Sequence, residues 1–113
     1  MSKINSFKDL IVWQKSMYLV RLIYQVTKDF PKSELYGIIS QMRRCAISIP
    51  SNIAEGYGRN SKKEYVQFYS IAYGSILELE TQLILVRDLG YITEEKFMQA
   101  EELIHEVSKM IRV

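Results

Sequence analysis

Two long amphipathic patterns meet in the stretch Ile49-Pro-Ser-Asn-Ile-Ala-Glu-Gly-Tyr-Gly-Arg-Asn-Ser61. Glycine ends helices readily because it tolerates the left-handed conformation, so Gly56 or Gly58 is the expected C-terminal cap of the first pattern. Ser61-Lys-Lys-Glu64 has the form of a capping box, in which hydroxyl and carboxylate each satisfy a free backbone N–H at a helix start. The connection is therefore about five residues, a length that permits only a tight helical hairpin. A chain with this joint at its middle is built around two antiparallel helices.

The flanking patterns extend this to four helices, near residues 8–29, 33–56, 61–89 and 93–112. Ser6 caps the first, with Asp9 near the positive end of its dipole. Leu10, Trp13, Met17, Val20 and Tyr24 form its main apolar face, with Ile11, Tyr18 and Leu22 as a second line beside it. Phe30-Pro31 stops it, because the residue before proline disfavours helical geometry. Ser33 caps the second helix, whose apolar stripe is Leu35, Ile38, Met42, Cys45 and Ile49. Gly37, Gln41, Arg44, Ser48, Ser51 and Glu55 make its small or polar face. Pro50 lacks the N–H that would bond the Ala46 carbonyl, so a kink is expected there; a break into two shorter helices is the alternative.

The third helix carries the clearest signal. Tyr65, Tyr69, Ala72, Ile76, Leu79, Leu83 and Val86 alternate steps of four and three, the spacing of bundle packing. Val66, Tyr73, Leu77 and Ile84 widen that face. Gly90 ends the helix, and Thr93-Glu-Glu95 opens the fourth, with Ile92 and Phe97 at staple spacing. Phe97, Ala100, Ile104, Val107 and Ile111 complete the core set. No stretch alternates with period two for long enough to make a strand. The reading is an all-α, antiparallel up-down-up-down four-helix bundle with a kinked second helix, a single domain over residues 1–113. The extra apolar lines on helices one and three call for a partner, and self-association is the expectation.

Composition bounds the function. At 48% hydrophobic and 25% charged the chain is ordinary globular material, with no apolar run near the ~20 residues of a membrane span. The opening Met-Ser-Lys-Ile-Asn-Ser has no signal-peptide core, and the single Cys45 makes no internal disulfide, so a reducing cytoplasmic setting is expected. The net charge of +2 hides an asymmetry: residues 1–63 carry 11 Lys/Arg against 4 Asp/Glu, whereas residues 64–113 carry 4 against 9. The two halves either pair with each other, within the bundle or between subunits, or leave a basic surface for a polyanion.

The stretches Phe7-Lys-Asp-Leu-Ile-Val-Trp-Gln-Lys15, Phe30-Pro31, Ser40-Gln-Met-Arg-Arg44, Ser48-Ile-Pro-Ser-Asn-Ile-Ala-Glu-Gly-Tyr-Gly-Arg59, Ile71-Ala-Tyr-Gly-Ser-Ile-Leu-Glu-Leu-Glu-Thr-Gln-Leu83 and Leu89-Gly-Tyr91 resemble the 23S rRNA intervening-sequence protein family along nearly the whole chain. The block 48–59 is the most specific. The resemblance implies an antiparallel bundle assembled as a ring-like homopentamer. It also implies kinship to the accessory variability determinant of diversity-generating retroelements, a bundle pentamer that binds nucleic acid and a reverse transcriptase.

Catalytic chemistry finds little support. Glu102-x-x-His105 resembles half of a di-iron motif, but His105 is the only histidine and the chemistry needs a second such pair. Cys45 lies on an apolar stripe and reads as an inert thiol. Gly56-x-Gly58 follows a helix rather than a strand and is no dinucleotide fingerprint. No catalytic, metal or cofactor set is expected. The candidate nucleic-acid contacts are Arg59, Lys62 and Lys63 around the start of the third helix, where free N–H groups favour an anion. Arg43 and Arg44 join them, unless Glu78 and Glu80 across the antiparallel pairing consume their charge. Tyr65, Tyr69 and Tyr73 form a ladder that serves either packing or base stacking. Two function classes follow: an oligomeric accessory protein that binds RNA or DNA, or a structural interaction module whose charges serve assembly and a protein partner.

Overall fold

The computed structural model describes residues 4–111. Residues 1–3, part of the stretch read above for a leader, and residues 112 and 113, the former the last of the fourth expected helix, lie outside the description. Among the described residues there are four long helices and no strand: α1 (Ile11–Thr27), α2 (Ser40–Tyr57), α3 (Lys62–Asp88) and α4 (Glu94–Ile111). Contacts join α1 to α2, α2 to α3, α3 to α4 and α4 back to α1, the cycle of an up-down-up-down bundle. The pairing of α2 with α3 is the most extensive. At 27 residues, α3 spans about 40 Å and matches the long dimension of the 43 × 27 × 20 Å molecule.

The core holds the expected stripes of three helices. Met42, Cys45 and Ile49 of α2, the α3 line from Tyr69 to Val86, and Phe97, Ala100, Ile104, Val107 and Ile111 of α4 are buried together. Each fully buried aliphatic side chain contributes about 1.5–3 kcal/mol relative to exposure. Leu35 and Tyr65, the outer members of two stripes, are exposed. In α1 the apolar face is rotated from the expected one. Ser16, Leu19, Leu22, Ile23, Val26 and Thr27 are buried, while Leu10, Trp13, Met17, Val20 and Tyr24 are only half-buried. The cause is that polar Ser16 and Thr27 enter the core with their hydroxyls satisfied along the helix. Ser16 Oγ donates to the Trp13 carbonyl (2.8 Å) and Thr27 Oγ1 to the Ile23 carbonyl (2.7 Å). Periodicity counted on apolar residues alone passes over such positions.

The helix starts also differ from expectation. Ser6 does cap, with Asp9 completing a capping box, but they open only a 3₁₀ turn, Phe7–Asp9. The chain is extended at Leu10 before α1 begins. Ser33 caps nothing: it lies within a second 3₁₀ turn, Lys32–Glu34, followed by a π-helical segment, Leu35–Ile39, irregular at Gly37. Glycine's poor helix propensity allows the ladder to fail there. Phe30 and Tyr91 pack with ring centroids 5.5 Å apart, and the Tyr91 hydroxyl donates to Glu34 Oε2 (2.9 Å). This segment is held by residues about sixty positions away, beyond the reach of local pattern. At Pro50, by contrast, α2 runs through without a break, so the two-helix alternative is excluded.

Candidate nucleic-acid interface

The turn of the α2–α3 hairpin carries three of the five candidate residues, Arg59, Lys62 and Lys63, and the construction of the hairpin explains the block 48–59. Ser48 Oγ and Ser75 Oγ lie 2.8 Å apart across the two helices. Asn52 Nδ2 donates back to the Ser48 carbonyl (2.8 Å) and to Ser48 Oγ (3.1 Å). Cys45 Sγ donates to the Ser75 carbonyl (3.0 Å). Burial pushes the Cys45 thiol up to about 12, with the Glu78 charge adding to the effect, which leaves it protonated and inert. At Gly56 there is no room for a side chain: a Cβ there would lie 2.9 Å from Tyr69 Cδ1. Gly56 is thus a buried interior residue of α2 selected for close approach. Gly58 takes the cap position, but at φ −81°, so neither glycine uses the left-handed conformation expected of a cap. Gly90, at φ 77°, does use it.

Ser61 caps α3 by accepting from the Glu64 N–H (3.2 Å). Glu64 does not complete the expected box; its carboxylate accepts from the Ser61 hydroxyl (3.1 Å) and faces Arg59 (4.0 Å). Arg59 also lies 3.7 Å from Glu55, and its guanidinium stacks 4.5 Å over the Phe68 ring. Arg59 therefore braces the turn, its charge already met by two acids. Lys62 and Lys63 differ. Both are exposed, and among the described residues neither forms an ion pair. They occupy the first two positions of α3, the positive end of its dipole, where cations are disfavoured and anions stabilised. Beside them Val66, Gln67, Ser70 and Ile71 line a shallow, open surface hollow of about 920 Å³.

Arg43 and Arg44 lie toward the far end of α2, about 20 Å along the helix from the turn. The expected pairing with Glu78 and Glu80 is absent among the described residues. Arg43 points to α1 instead: its Nε donates to Thr27 Oγ1 (2.9 Å), and its guanidinium covers the Tyr24 ring at 4.5 Å. It is a packing residue. Arg44 is exposed on the outer face. The tyrosine ladder resolves mostly to packing: Tyr69 is 5% exposed and stacks on Tyr65 with centroids 4.3 Å apart, leaving Tyr65 accessible.

Elsewhere the structure assembles a cluster that the Glu102-x-x-His105 spacing does not indicate. His105 stands 3.5 Å from Glu80 of α3, and Glu101 of α4 completes a group whose nearest nitrogen and oxygen atoms lie within 4.8 Å of one another. Glu102, singled out by its spacing to His105, is not among them. The usable signal was Glu101 and His105 four apart on one helix face.

The comparisons with known proteins agree with the helical-bundle fold. The chain belongs to the family described as 23S rRNA-intervening sequence protein, whose model matches residues 8–113. It is similar to a crystal structure of a protein with unknown function from the S23 ribosomal protein family of Bacteroides thetaiotaomicron VPI-5482. That match has a TM-score of 0.80 and 24% identity, and covers 89% of this chain and 94% of that one. At that identity the likeness carries the fold. No curated protein matches the chain. Among the described residues no helix is long and apolar enough to cross a membrane.

Proposed function

We propose that this protein is a non-enzymatic, self-associating accessory protein that holds RNA or DNA by its backbone phosphates. The observation that carries the reading is Lys62 and Lys63, exposed and unpaired among the described residues, at a helix end where the fold itself disfavours positive charge. A phosphate placed there gains from both the cations and the free N–H groups. The basic half is otherwise little neutralised. Lys15–Glu106, half-exposed, and Arg59–Glu64 are the ion pairs among the described residues that join the two halves. Arg44 adds a separate exposed cation on α2, whereas Arg43 and Arg59 are structural.

Self-association rests on Ile11 and Tyr18 of α1, Ile71, Leu77 and Leu85 of α3 and Leu89 just beyond its end, each between 48% and 64% exposed. Such a surface is covered in an assembly. The pentamer number, a reducing cytoplasmic setting and a nucleic-acid-processing partner such as a reverse transcriptase come from the family resemblance and the free Cys45. A ring repeating one weak site gains affinity on a single strand through effective concentration. The second reading, a protein-interaction module, is favoured by the same apolar surface.

The test compares wild type with Lys62→Glu, Lys63→Glu by binding to duplex and single-stranded RNA and DNA at low and moderate salt. Light scattering should give about five times the 13.3 kDa chain mass for both proteins. Wild-type affinity should fall steeply with salt, and the double variant should bind at least about tenfold more weakly. Equal binding, or no binding by wild type at low salt, transfers the surface to a protein partner. Because glutamate suits a helix start, the double variant should fold at least as stably as wild type.

A further inference from the structure

We propose that Glu80, Glu101 and His105 form a site for a divalent transition-metal ion of the zinc class, joining α3 to α4. Three donors from two helices converge, with all their ligand atoms within 4.8 Å of one another. His105 Nε2 and Glu80 Oε2 are 3.5 Å apart, longer than the 2.7–2.9 Å usual for a charge-assisted hydrogen bond. Two ligands held at about 2.0–2.1 Å from one ion at the tetrahedral angle stand about 3.3 Å apart, so this pair already has the span of a coordination edge.

A second observation concerns the Glu101 carboxylate. Glu101 Oε1 is sealed from solvent and accepts no hydrogen bond. A buried carboxylate oxygen with no donor is costly, and a bound cation supplies what it lacks. The surroundings agree. Arg87, the other cation near Glu101, is turned toward Asp88 (3.5 Å) and stacks on Phe97 at 4.5 Å. The donor set selects the metal class: one imidazole with two carboxylates suits zinc and its neighbours, whereas magnesium and calcium take oxygen ligands. Three protein ligands leave a fourth position for water.

The experiment titrates zinc into the tag-free full chain in competition with a chromophoric chelator, and records the visible spectrum with cobalt in its place. The expected result is one zinc per chain and a cobalt spectrum of tetrahedral type. His105→Ala and Glu101→Gln should each weaken binding at least about tenfold, because each removes one of three ligands. Cys45→Ala should leave binding unchanged, since the buried thiol lies outside the cluster. Glu80→Gln, on the opposite helix, supplies the same comparison should either α4 variant lose helicity by circular dichroism. Zinc binding that survives all three ligand substitutions, no retained zinc in wild type, or a cobalt spectrum like that of the aqueous ion would each overturn the site.

Discussion

The two connections that flank α2 are made in opposite ways. The α2–α3 turn is held by contacts at one close crossing: Gly56 beneath Tyr69, Ser48 against Ser75, Arg59 between Glu55 and Glu64. The α1–α2 passage is held from a distance, by Tyr91 on Phe30 and Glu34 and by Arg43 reaching back to Thr27. The first is a regular cap and turn. The second contains a 3₁₀ turn and a π-helical segment. Regular geometry thus accompanies neighbours that specify each other locally, and irregular geometry accompanies an anchor that arrives from another part of the chain.

Breaking the first connection should cost most. Gly56→Ala places a methyl group against the Tyr69 ring, and overpacking of a tight crossing destabilises by about 1–3 kcal/mol. That outweighs the roughly 0.5–1 kcal/mol that alanine gains over glycine within a helix. Denaturant unfolding should show the loss, and pairing the change with Tyr69→Ala should give a combined effect well short of additive. A neutral or stabilised Gly56→Ala would mean that the crossing relaxes freely. At the second connection, Arg43→Ala removes a hydrogen bond and ring contact from a half-buried site but leaves Thr27 bonded within α1, so a smaller loss of about 1 kcal/mol is expected by the same assay. A loss as large as that at Gly56 would reverse the ranking of the two connections.

The hairpin also titrates. Cys45 and Tyr69 both have folded pKa values raised to about 12, from ordinary values of 9.0 and 10.0, each chiefly by burial. Between those values the unfolded chain releases protons that the folded chain retains. Stability from these groups is therefore complete below about pH 9 and falls as pH rises toward about 12. Cys45→Ala should flatten the lower part of that decline in alkaline denaturant titrations, and an unchanged profile would exclude the thiol as a contributor. At neutral pH this effect is nil, and it appears only above about pH 9.

The same contrast explains what could be read from sequence. The α3 heptad line from Tyr69 to Val86, the α4 stripe and the staple residues Ile92 and Phe97 are buried as their spacing indicates, because one apolar period governs them. The face of α1 was misplaced because Ser16 and Thr27, both polar, belong to the core. The start of α2 was misplaced because Tyr91, far along the chain, anchors Glu34. Of the candidate interface, Lys62 and Lys63 stood out through their position at a helix start. The structural duties of Arg59 and Arg43 depend on rings and carboxylates whose spatial approach no spacing announces.

The unbroken length of α3 has an electrostatic consequence. Lys62 and Glu80 lie on the same helix, separated by about 27 Å of axial rise. At physiological ionic strength the field of an exposed charge is screened over about 8 Å, so ionic events at one end are not felt as a field at the other. A cation held near Glu80 would neither strengthen nor weaken the attraction of a polyanion to Lys62 and Lys63 through space. Any influence between them would have to travel mechanically, as a tilt of one stiff rod seated between α2 and α4.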